Sequence, residues 1–322
     1  LAVGTLGIWA SCPGQTVGIS VFSEPLMTAL DLSRSQIAFA YLCGTITSSV
    51  FLPLAGKCLD SVGPRIFTVS AAISLLVCVI YFSFCDSIYH QLKNLLGDRV
   101  APEYVAFAVA YAGFFCIRQF GQGWLTMGPR TMMANFFDKK RGRMMAISGM
   151  GVAFSFGMTP VFFELLITTF GWRHALRFCL GTFMLFMAMV AMLFFRRNPE
   201  DCGLLVDGIV SASPTEMTAH SSSSKETQQK KDFTSEEALR TRAFWIYSFG
   251  LCGNALLVTA NTFHIGYTAA LNGVSTQKAF AVFVPAAILS TVSDLLAGFL
   301  QEYVDMRVLL AIMNASMLVF LS

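Results

Sequence analysis

Long apolar segments separated by short polar turns run along nearly the whole of this chain. Each segment has about 20 residues, the length that a helix needs to cross the hydrocarbon core of a bilayer. A surface helix of a soluble protein would instead show an apolar stripe on one face only. The pattern predicts nine membrane-spanning helices, at about residues 1–22, 35–58, 64–85, 103–129, 143–170, 172–195, 243–268, 278–301 and 307–322.

The composition is that of a membrane protein rather than a soluble domain. Of the 322 residues, 55% are hydrophobic and 13% are charged, and the mean hydropathy is +0.62. A soluble domain has about twice that charged fraction. The first segment begins without Met and the last ends within an apolar run. We therefore expect a fragment that lacks some N-terminal residues and helices 10–12.

The predicted helices fall into two groups on either side of a polar segment. Residues 1–195 hold six helices with short connections, apart from a polar loop near residues 86–102. Residues 196–242 form a low-complexity connection that cannot bury a core. A second group of helices begins at residue 243 and continues to residue 322. We predict an all-α membrane protein built from two pseudo-symmetric six-helix bundles, the second incomplete.

A short charged turn occurs at equivalent places in the two groups. A glycine, an acidic residue and an arginine return 242 residues later with the same spacing: Gly56, Asp60 and Arg65 are followed by Gly298, Glu302 and Arg307. This repetition indicates a duplicated membrane protein, and duplicated bundles that bind at the repeat interface are typically transporters. The acid and arginine of each copy are predicted to form a charge latch that favours one conformation. The first glycine is predicted to allow close helix packing.

The distribution of Lys and Arg predicts the orientation in the membrane. With the turn around Asp60 in the cytoplasm, 15 of the 22 Lys and Arg residues lie on the cytoplasmic side and 6 on the other side, with Arg118 inside a span. The positive-inside rule therefore places the amino terminus and the polar connection in the cytoplasm. The sequence does not distinguish the plasma membrane from an organelle membrane.

The doubled turn resembles the signature of the major facilitator superfamily, Gly-x-x-x-Asp-(Arg/Lys)-x-Gly-x-Arg. The first copy matches at Gly56, Asp60, Gly63 and Arg65, with Ser61 where the family has a basic residue. The second copy departs further from the signature. Glu302 replaces the Asp, and Asp305 replaces the second Gly. The resemblance implies a two-bundle fold that moves a small polar solute by alternating access, driven by solute or ion gradients.

Other stretches resemble one branch of that superfamily. Residues 12–16, 118–123, 198–203 and 237–245 are similar to the oxalate/formate antiporters and monocarboxylate porters. That branch carries in helix 8 an Arg that binds a carboxylate, and this chain has Asp294 at the corresponding place. The branch's anion site therefore does not carry over there. An organic anion such as a monocarboxylate is a hypothesis that rests on Arg118 and on the branch resemblance.

Two charged residues lie within the predicted spans. Arg118 is about 11 residues, roughly 16 Å, from the end of its span, and a charge at that depth costs at least ~2.5 kcal/mol if it faces lipid. Arg118 either binds an anionic group or coupling ion, or forms a structural ion pair or cap. Asp294 is a protonatable coupling group, a fixed partner of Arg118 or a second acid beside the latch. We hypothesise that the two approach each other across a central cavity in one state.

Uncharged polar residues supply further candidates. Gln15 follows a Pro13-Gly14 pair that should interrupt helix 1, Gln122 lies one turn after Arg118, and Asn261 lies in helix 7. These residues are predicted to contact a solute, a proton or a counter-solute, although interhelical hydrogen bonds explain them nearly as well. Glu164, near the outer end of helix 5, is expected to reach the membrane interface.

The sequence contains no nucleotide-binding loop, no metal-ligand cluster and no catalytic group of the recognised kinds. We therefore predict no enzymatic activity, no cofactor, no metal and no nucleic-acid partner. A seven-helix receptor would not explain the doubled turn. A transporter-like membrane sensor, which binds a solute without moving it, remains the alternative.

Overall fold

The computed structural model describes residues 1–137, 141–204, 206, 235–300 and 303–321, and these are helical almost throughout, with no strand among them. Most of the predicted polar connection, residues 207–234, lies outside those ranges. Two π-helical turns, Arg118–Trp124 and Ala175–Leu180, join neighbouring helices. The α-helices are α1 (Ala2–Trp9), α2 (Thr16–Ile19), α3 (Ser23–Leu30), α4 (Arg34–Ser83), α5 (Cys85–Leu96), α6 (Pro102–Ile117), α7 (Leu125–Phe136), α8 (Arg141–Phe170), α9 (Trp172–His174), α10 (Gly181–Phe194), α11 (Ser235–Leu239), α12 (Arg242–Leu271), α13 (Thr276–Ala281), α14 (Phe283–Leu300) and α15 (Met306–Leu321).

Six helical stretches in the described ranges are long and apolar enough to cross a membrane. They are Arg34–Ser83, Pro102–Phe136, Met144–Phe170, Trp172–Phe194, Arg242–Leu271 and Gln277–Ala297. Two shorter apolar stretches overlap predicted spans: Thr16–Leu30 overlaps the first, and Met306–Ser316 overlaps the ninth. The helices are those of a multi-pass membrane protein, while the count of nine spans and the division into two bundles stay predictions.

Helix α4 contains two of the predicted spans. Its 50 residues would extend for about 75 Å if straight, far more than a bilayer core of about 30 Å. Gly63 interrupts it with φ 78° and ψ 163°, a conformation that suits glycine because it has no Cβ. A Cβ on Gly44, before the break, would lie 3.0 Å from Phe114, and the ring of Phe82, after the break, lies 5.4 Å from that of Phe114. The chain therefore reverses direction at Gly63.

The first apolar segment is an interrupted helix, as its Pro13-Gly14 pair predicts. Helix α1 ends at Trp9, a 3₁₀ turn spans Cys12–Gly14, and Gln15 is extended with φ −83° and ψ 156°. Proline cannot donate a backbone hydrogen bond, so the helix cannot continue unbroken through this point. Helical structure resumes at Thr16 and reaches Leu30, beyond residue 22, where the sequence pattern placed the end of the span.

The interruption in helix 1 lies directly against the π-helical turn Arg118–Trp124. A Cβ on Gly14 would lie 2.5 Å from Gly121 Cα and 2.6 Å from the carbonyl oxygen of Ile117. A Cβ on Gly121 would likewise lie 2.5 Å from Gly14 Cα. Because real Cβ atoms do not approach so closely, glycine at both positions lets the two backbones touch.

The polar loop predicted near residues 86–102 is largely helical. Helix α5 buries Cys85 and Tyr89 and exposes most of its other side chains, so it is an amphipathic helix. Its polar residues lie on the exposed face at helical spacing. The connection between these spans therefore contains a surface helix, which polarity alone does not distinguish from an irregular segment.

The apolar core lies mainly among helices α1 to α10, where the largest fully buried side chains are Phe22, Phe67, Phe82, Phe114 and Phe195. The later helices meet these mainly where α8 packs antiparallel to α14. A Cβ on Gly157 of α8 would lie 2.2 Å from the Cβ of Ala287, and Gly149 faces Asp294. Small residues thus allow the close contact between these two helices.

The contact between Gly14 and Gly121 predicts the effect of adding a methyl group. Gly121→Ala is expected to lower the midpoint of thermal unfolding in detergent by several degrees, because overpacking costs roughly 1–3 kcal/mol. Gly56→Ala is the matched control, since no described atom lies within 4 Å of a Cβ there. Its midpoint should stay the same or rise slightly, because alanine favours a helix over glycine. Equal midpoints for the two variants would contradict the close backbone contact.

Candidate functional site

Arg118 begins the π-helical turn after α6, and its guanidinium reaches the interruption in helix 1. Its Nη1 donates to the carbonyl oxygen of Gly14 at 3.5 Å and to Thr16 Oγ1 at 3.4 Å. The guanidinium carbon lies 5.4 Å from the centre of the Tyr41 ring, and Nε is buried without a partner. The two hydrogen bonds are long. The surrounding groups therefore leave part of the hydrogen-bonding capacity of Arg118 unused.

The charge of Arg118 is also uncompensated. The residue is 7% exposed and is the single buried charged side chain in the part of the chain that the structure describes. Among those same residues, no carboxylate forms an ion pair with it. A buried charge without a partner costs several kcal/mol. This site is therefore electrostatically incomplete, and an anion would complete it.

Tyr41 connects Arg118 to helix α12. The Tyr41 hydroxyl hydrogen-bonds to Thr16 Oγ1 at 2.8 Å, and its ring stacks on Phe263 with 4.9 Å between the centroids. Both rings are buried, and Phe263 also lines a cavity of about 500 Å³. The order from the cavity inwards is Phe263, Tyr41 and then Arg118. Sequence reasoning missed these two aromatic residues and Thr16, because in an apolar span they look like ordinary core residues.

The uncharged candidates from the sequence are separated from one another. Gln15 lies between Gly14 and Thr16, the two residues to which Arg118 donates, but its own Nε2 donates to Ser11 Oγ at 3.0 Å. Gln122 is exposed, and Asn261 lines a second cavity, of about 290 Å³. None of the three forms a hydrogen bond with Arg118 within the described chain. Their roles in binding stay predictions.

Asp294 lies against helix α8 rather than beside Arg118. Its Oδ2 is 4.0 Å from the position that a Cβ on Gly149 would take, and the residue is exposed. The ion pair between Asp294 and Arg118 is absent from this structure, and their approach in another conformation stays a prediction. Within the described ranges, no group of three or more His, Cys, Asp or Glu side chains is arranged to hold a metal ion.

The first charged turn is held by a residue that sequence reasoning did not single out. Asp60 and Arg65, both described, form no ion pair, and Arg65 Nε is buried without a partner. Instead, Arg197 Nη2 donates to the backbone oxygen of Asp60 at 3.1 Å. The backbone oxygen of Arg197 accepts from Asn135 Nδ2 at 3.1 Å. Arg197 therefore joins α4 and α7 to the segment that follows α10.

The two glycines of the first turn differ in role. A Cβ on Gly56 would have no described atom within 4 Å, so close helix packing at this glycine stays a prediction. Gly63 provides the reversal of the chain, and the side chain of Arg197 lies 3.6 Å from its Cβ position. Of the two, Gly63 is the glycine whose backbone conformation forms the break in α4.

The second charged turn is only partly visible. Glu302 lies outside the described residues, so its pairing with Arg307 stays a prediction. Gly298 lies within α14, and the backbone nitrogen of Arg307 donates to Asp305 Oδ1 at 2.9 Å. The acid that replaces the second glycine thus begins helix α15 as a cap.

The contacts of Arg197 predict an order of stabilities. Arg197→Ala should lower the midpoint of thermal unfolding, because the hydrogen bond to Asp60 contributes about 1 kcal/mol. Asp60→Asn should leave the midpoint unchanged, because its backbone oxygen remains and its carboxylate forms no ion pair with another described residue. A larger decrease in the unfolding midpoint for Asp60→Asn than for Arg197→Ala would instead support the Asp60–Arg65 latch.

Comparison with known proteins identifies a family. The sequence profile of the Major Facilitator Superfamily matches residues 5–322, which is nearly the whole chain and includes Arg118 and both charged turns. Comparison with curated proteins gives no match. The match agrees with the apolar helices of membrane-crossing length. This chain therefore belongs to the Major Facilitator Superfamily, and it is an integral multi-pass membrane protein of a transporter family.

Proposed function

We propose that this protein is a secondary active transporter that carries a small organic anion, such as a monocarboxylate, across a membrane by alternating access. Family membership supports transport of a small solute. The observation that supports an anion is the buried guanidinium of Arg118 without a described counter-ion. No feature of the described chain favours a sensor that binds without transport.

The free donors of Arg118 suit a carboxylate. Nη1 is occupied by Gly14 and Thr16, whereas Nε has no partner. A carboxylate can bind one guanidinium through two parallel N–H donors, and Nε and Nη2 form such a pair. The rings of Tyr41 and Phe263 would supply an apolar wall for the body of the solute. This favours an anion with a compact organic group over a bare inorganic ion.

The contacts between early and late helices suggest how access would change. The 500 Å³ cavity reaches the surface at Glu24 and Tyr267, which are exposed, and the stack of Tyr41 on Phe263 separates it from Arg118. With the amino terminus in the cytoplasm, the cavity opens to the outside. We propose that residues 1–195 and 243–322 move relative to each other, so that this stack opens when Arg118 is exposed to the outside. The two charged turns would bias the inward and outward states.

Arg118 is tested by uptake into proteoliposomes that contain the purified protein. Radiolabelled lactate and benzoate are suitable probe anions, and glycerol is a neutral comparison. Arg118→Gln should lower kcat/KM for the anions about 10- to 100-fold, because hydrogen bonds to a charged group contribute roughly 1.5–3 kcal/mol. Its unfolding midpoint should stay the same or rise, because an uncompensated buried charge is removed.

Arg177 is the matched control, because it also lies in a π-helical turn but its Nε and Nη2 both have hydrogen-bond partners. It donates to Ser83 Oγ at 2.9 Å and to the Ser83 carbonyl oxygen at 3.1 Å, and it lies 3.8 Å from the centre of the Phe84 ring. Arg177→Gln should lower the unfolding midpoint and leave the KM of the folded fraction unchanged. The reverse pattern, with stability lost at Arg118 and affinity lost at Arg177, would refute the proposed site. Binding of the anions without uptake would indicate a sensor.

The aromatic stack gives a second prediction. Phe263→Ala should open the route from the cavity to Tyr41 and Thr16, because the outer ring of the stack is removed. In a Thr16→Cys protein, a membrane-impermeant thiol reagent should then label residue 16 at least about 10-fold faster, as measured by mass spectrometry. The protein is labelled in detergent, where the reagent meets both faces, so the exposed Cys202 provides the internal standard for labelling. An unchanged labelling rate would mean that the stack does not close the route to Arg118.

A further inference from the structure

The 500 Å³ cavity above the Tyr41–Phe263 stack contains one carboxylate without a partner. Helices from both ends of the chain line this cavity, and its polar lining includes Ser23, Glu24, Arg34, Glu164, Thr262 and Tyr267. Glu24 and Arg34 form an ion pair, and the Arg34 guanidinium also lies 4.4 Å from the centre of the Tyr267 ring. Their charges therefore cancel. Glu164 has neither an ion pair nor a side-chain hydrogen bond among the described residues.

A buried hydroxyl in the same cavity is also without a partner. Ser23 is 3% exposed, and its Oγ makes no hydrogen bond. Such groups in native proteins are usually satisfied by a ligand, an ion or water. The cavity thus combines an uncompensated carboxylate with an unsatisfied hydroxyl, and both are suited to a site that takes up a cation from water.

The position of Glu164 relative to Arg118 conflicts with simple passage of an anion. An anion that enters through this cavity must pass an uncompensated negative charge before it reaches Phe263, Tyr41 and Arg118. Like charges that share a cavity repel each other. Neutralising Glu164 would remove that repulsion.

We propose that Glu164 is the proton-binding group that couples uptake of the anion to uptake of a proton. A proton from water in the cavity forms an O–H bond with a Glu164 carboxylate oxygen, the anion passes to Arg118, and the proton leaves to water on the other side after the conformational change. One proton and one monovalent anion cross together without net charge. This assignment rests on the proposed function, because it needs an anionic solute.

Other titratable groups near Glu164 are engaged elsewhere or distant. On the neighbouring α9, Arg173 pairs with Asp86 and the His174 ring stacks on Phe178. Lys278 of α13 does not line the cavity. Glu24 is paired with Arg34, as described above.

Asp294, the coupling group predicted from the sequence, lies where α14 packs against α8, away from Glu164. It faces Gly149, which is 15 residues before Glu164 on α8, or about 22 Å along the helix axis. It does not line the 500 Å³ cavity. The structure therefore favours Glu164 over Asp294 as the group that meets a proton from this side.

The test compares uptake of radiolabelled lactate and benzoate at different external pH with the internal pH fixed. Wild-type uptake should rise several-fold as the external pH falls from about pH 8 to about pH 5.5, because the protonated form of Glu164 admits the anion. Glu164→Gln should lose this dependence, whereas Glu164→Asp, which keeps a carboxylate, should retain it. Glu24→Gln and Asp294→Asn are the controls and should stay pH-dependent.

Two outcomes would overturn the assignment. One is pH dependence that persists in Glu164→Gln or disappears in Asp294→Asn. The other is uptake that follows a sodium gradient at constant pH and is lost in Glu164→Gln, which would make sodium the coupling cation.

A second measurement does not need transport. The infrared difference spectrum of the purified protein between about pH 8 and about pH 5.5 should contain the carbonyl band of a protonated carboxylic acid that Glu164→Gln lacks. Absence of that difference would refute protonation of Glu164. If the wild-type protein takes up no probe anion at any pH while the band is present, the proposed function fails and the proton site stands.

Discussion

The backbone contact between Gly14 and Gly121 is the constraint on which the binding region depends. Two helical segments touch where each is irregular, one at a 3₁₀ turn and the other at a π turn. Regular helices with side chains at these positions would stand several ångströms further apart. The close approach lets the carbonyl oxygen of Gly14, which the interruption leaves free, face the guanidinium of Arg118. Irregular backbone at membrane depth is tolerated where it lines a polar site, and that condition is met here.

The incomplete hydrogen bonding of Arg118 is consistent with a side chain that must bind an anion and then release it. A structural carboxylate against the guanidinium would stabilise the protein more, but an incoming anion would then have to displace it. Two long hydrogen bonds and an aromatic ring hold the side chain in place without satisfying it. A ligand shifts a conformational equilibrium only by its differential affinity for the two states. An incompletely satisfied charge gives an anion a large interaction in one state and leaves room for a weaker one in the other.

The sequence predicted the features that depend on local chemistry and missed those that depend on contacts between distant segments. Apolar length revealed helices of membrane-crossing length, Pro13-Gly14 revealed the interruption, and depth within a span revealed that Arg118 is buried. The same reasoning could not show that Tyr41 and Phe263 stack, because they are 222 residues apart and apolar surroundings are usual for both. Close packing at Gly56 was inferred from a motif, whereas the room around a glycine is set by its partner helix. The sequence also could not show that Arg197, from far along the chain, reaches the backbone oxygen of Asp60.

Arg118 and Glu164 lie on opposite sides of the Tyr41–Phe263 stack, and their charges have opposite signs. Each lowers the cost of the other through a medium of low dielectric, although neither neutralises the other directly. In the proposed cycle, an anion bound at Arg118 would reduce any positive field from Arg118 at Glu164 and so favour protonation there. By linkage, a proton on Glu164 must favour the anion by the same factor. Coupling between the proton and the anion then needs no continuous chain of contacts between their sites. It would follow from two charged side chains without counter-ions that lie on either side of one apolar barrier.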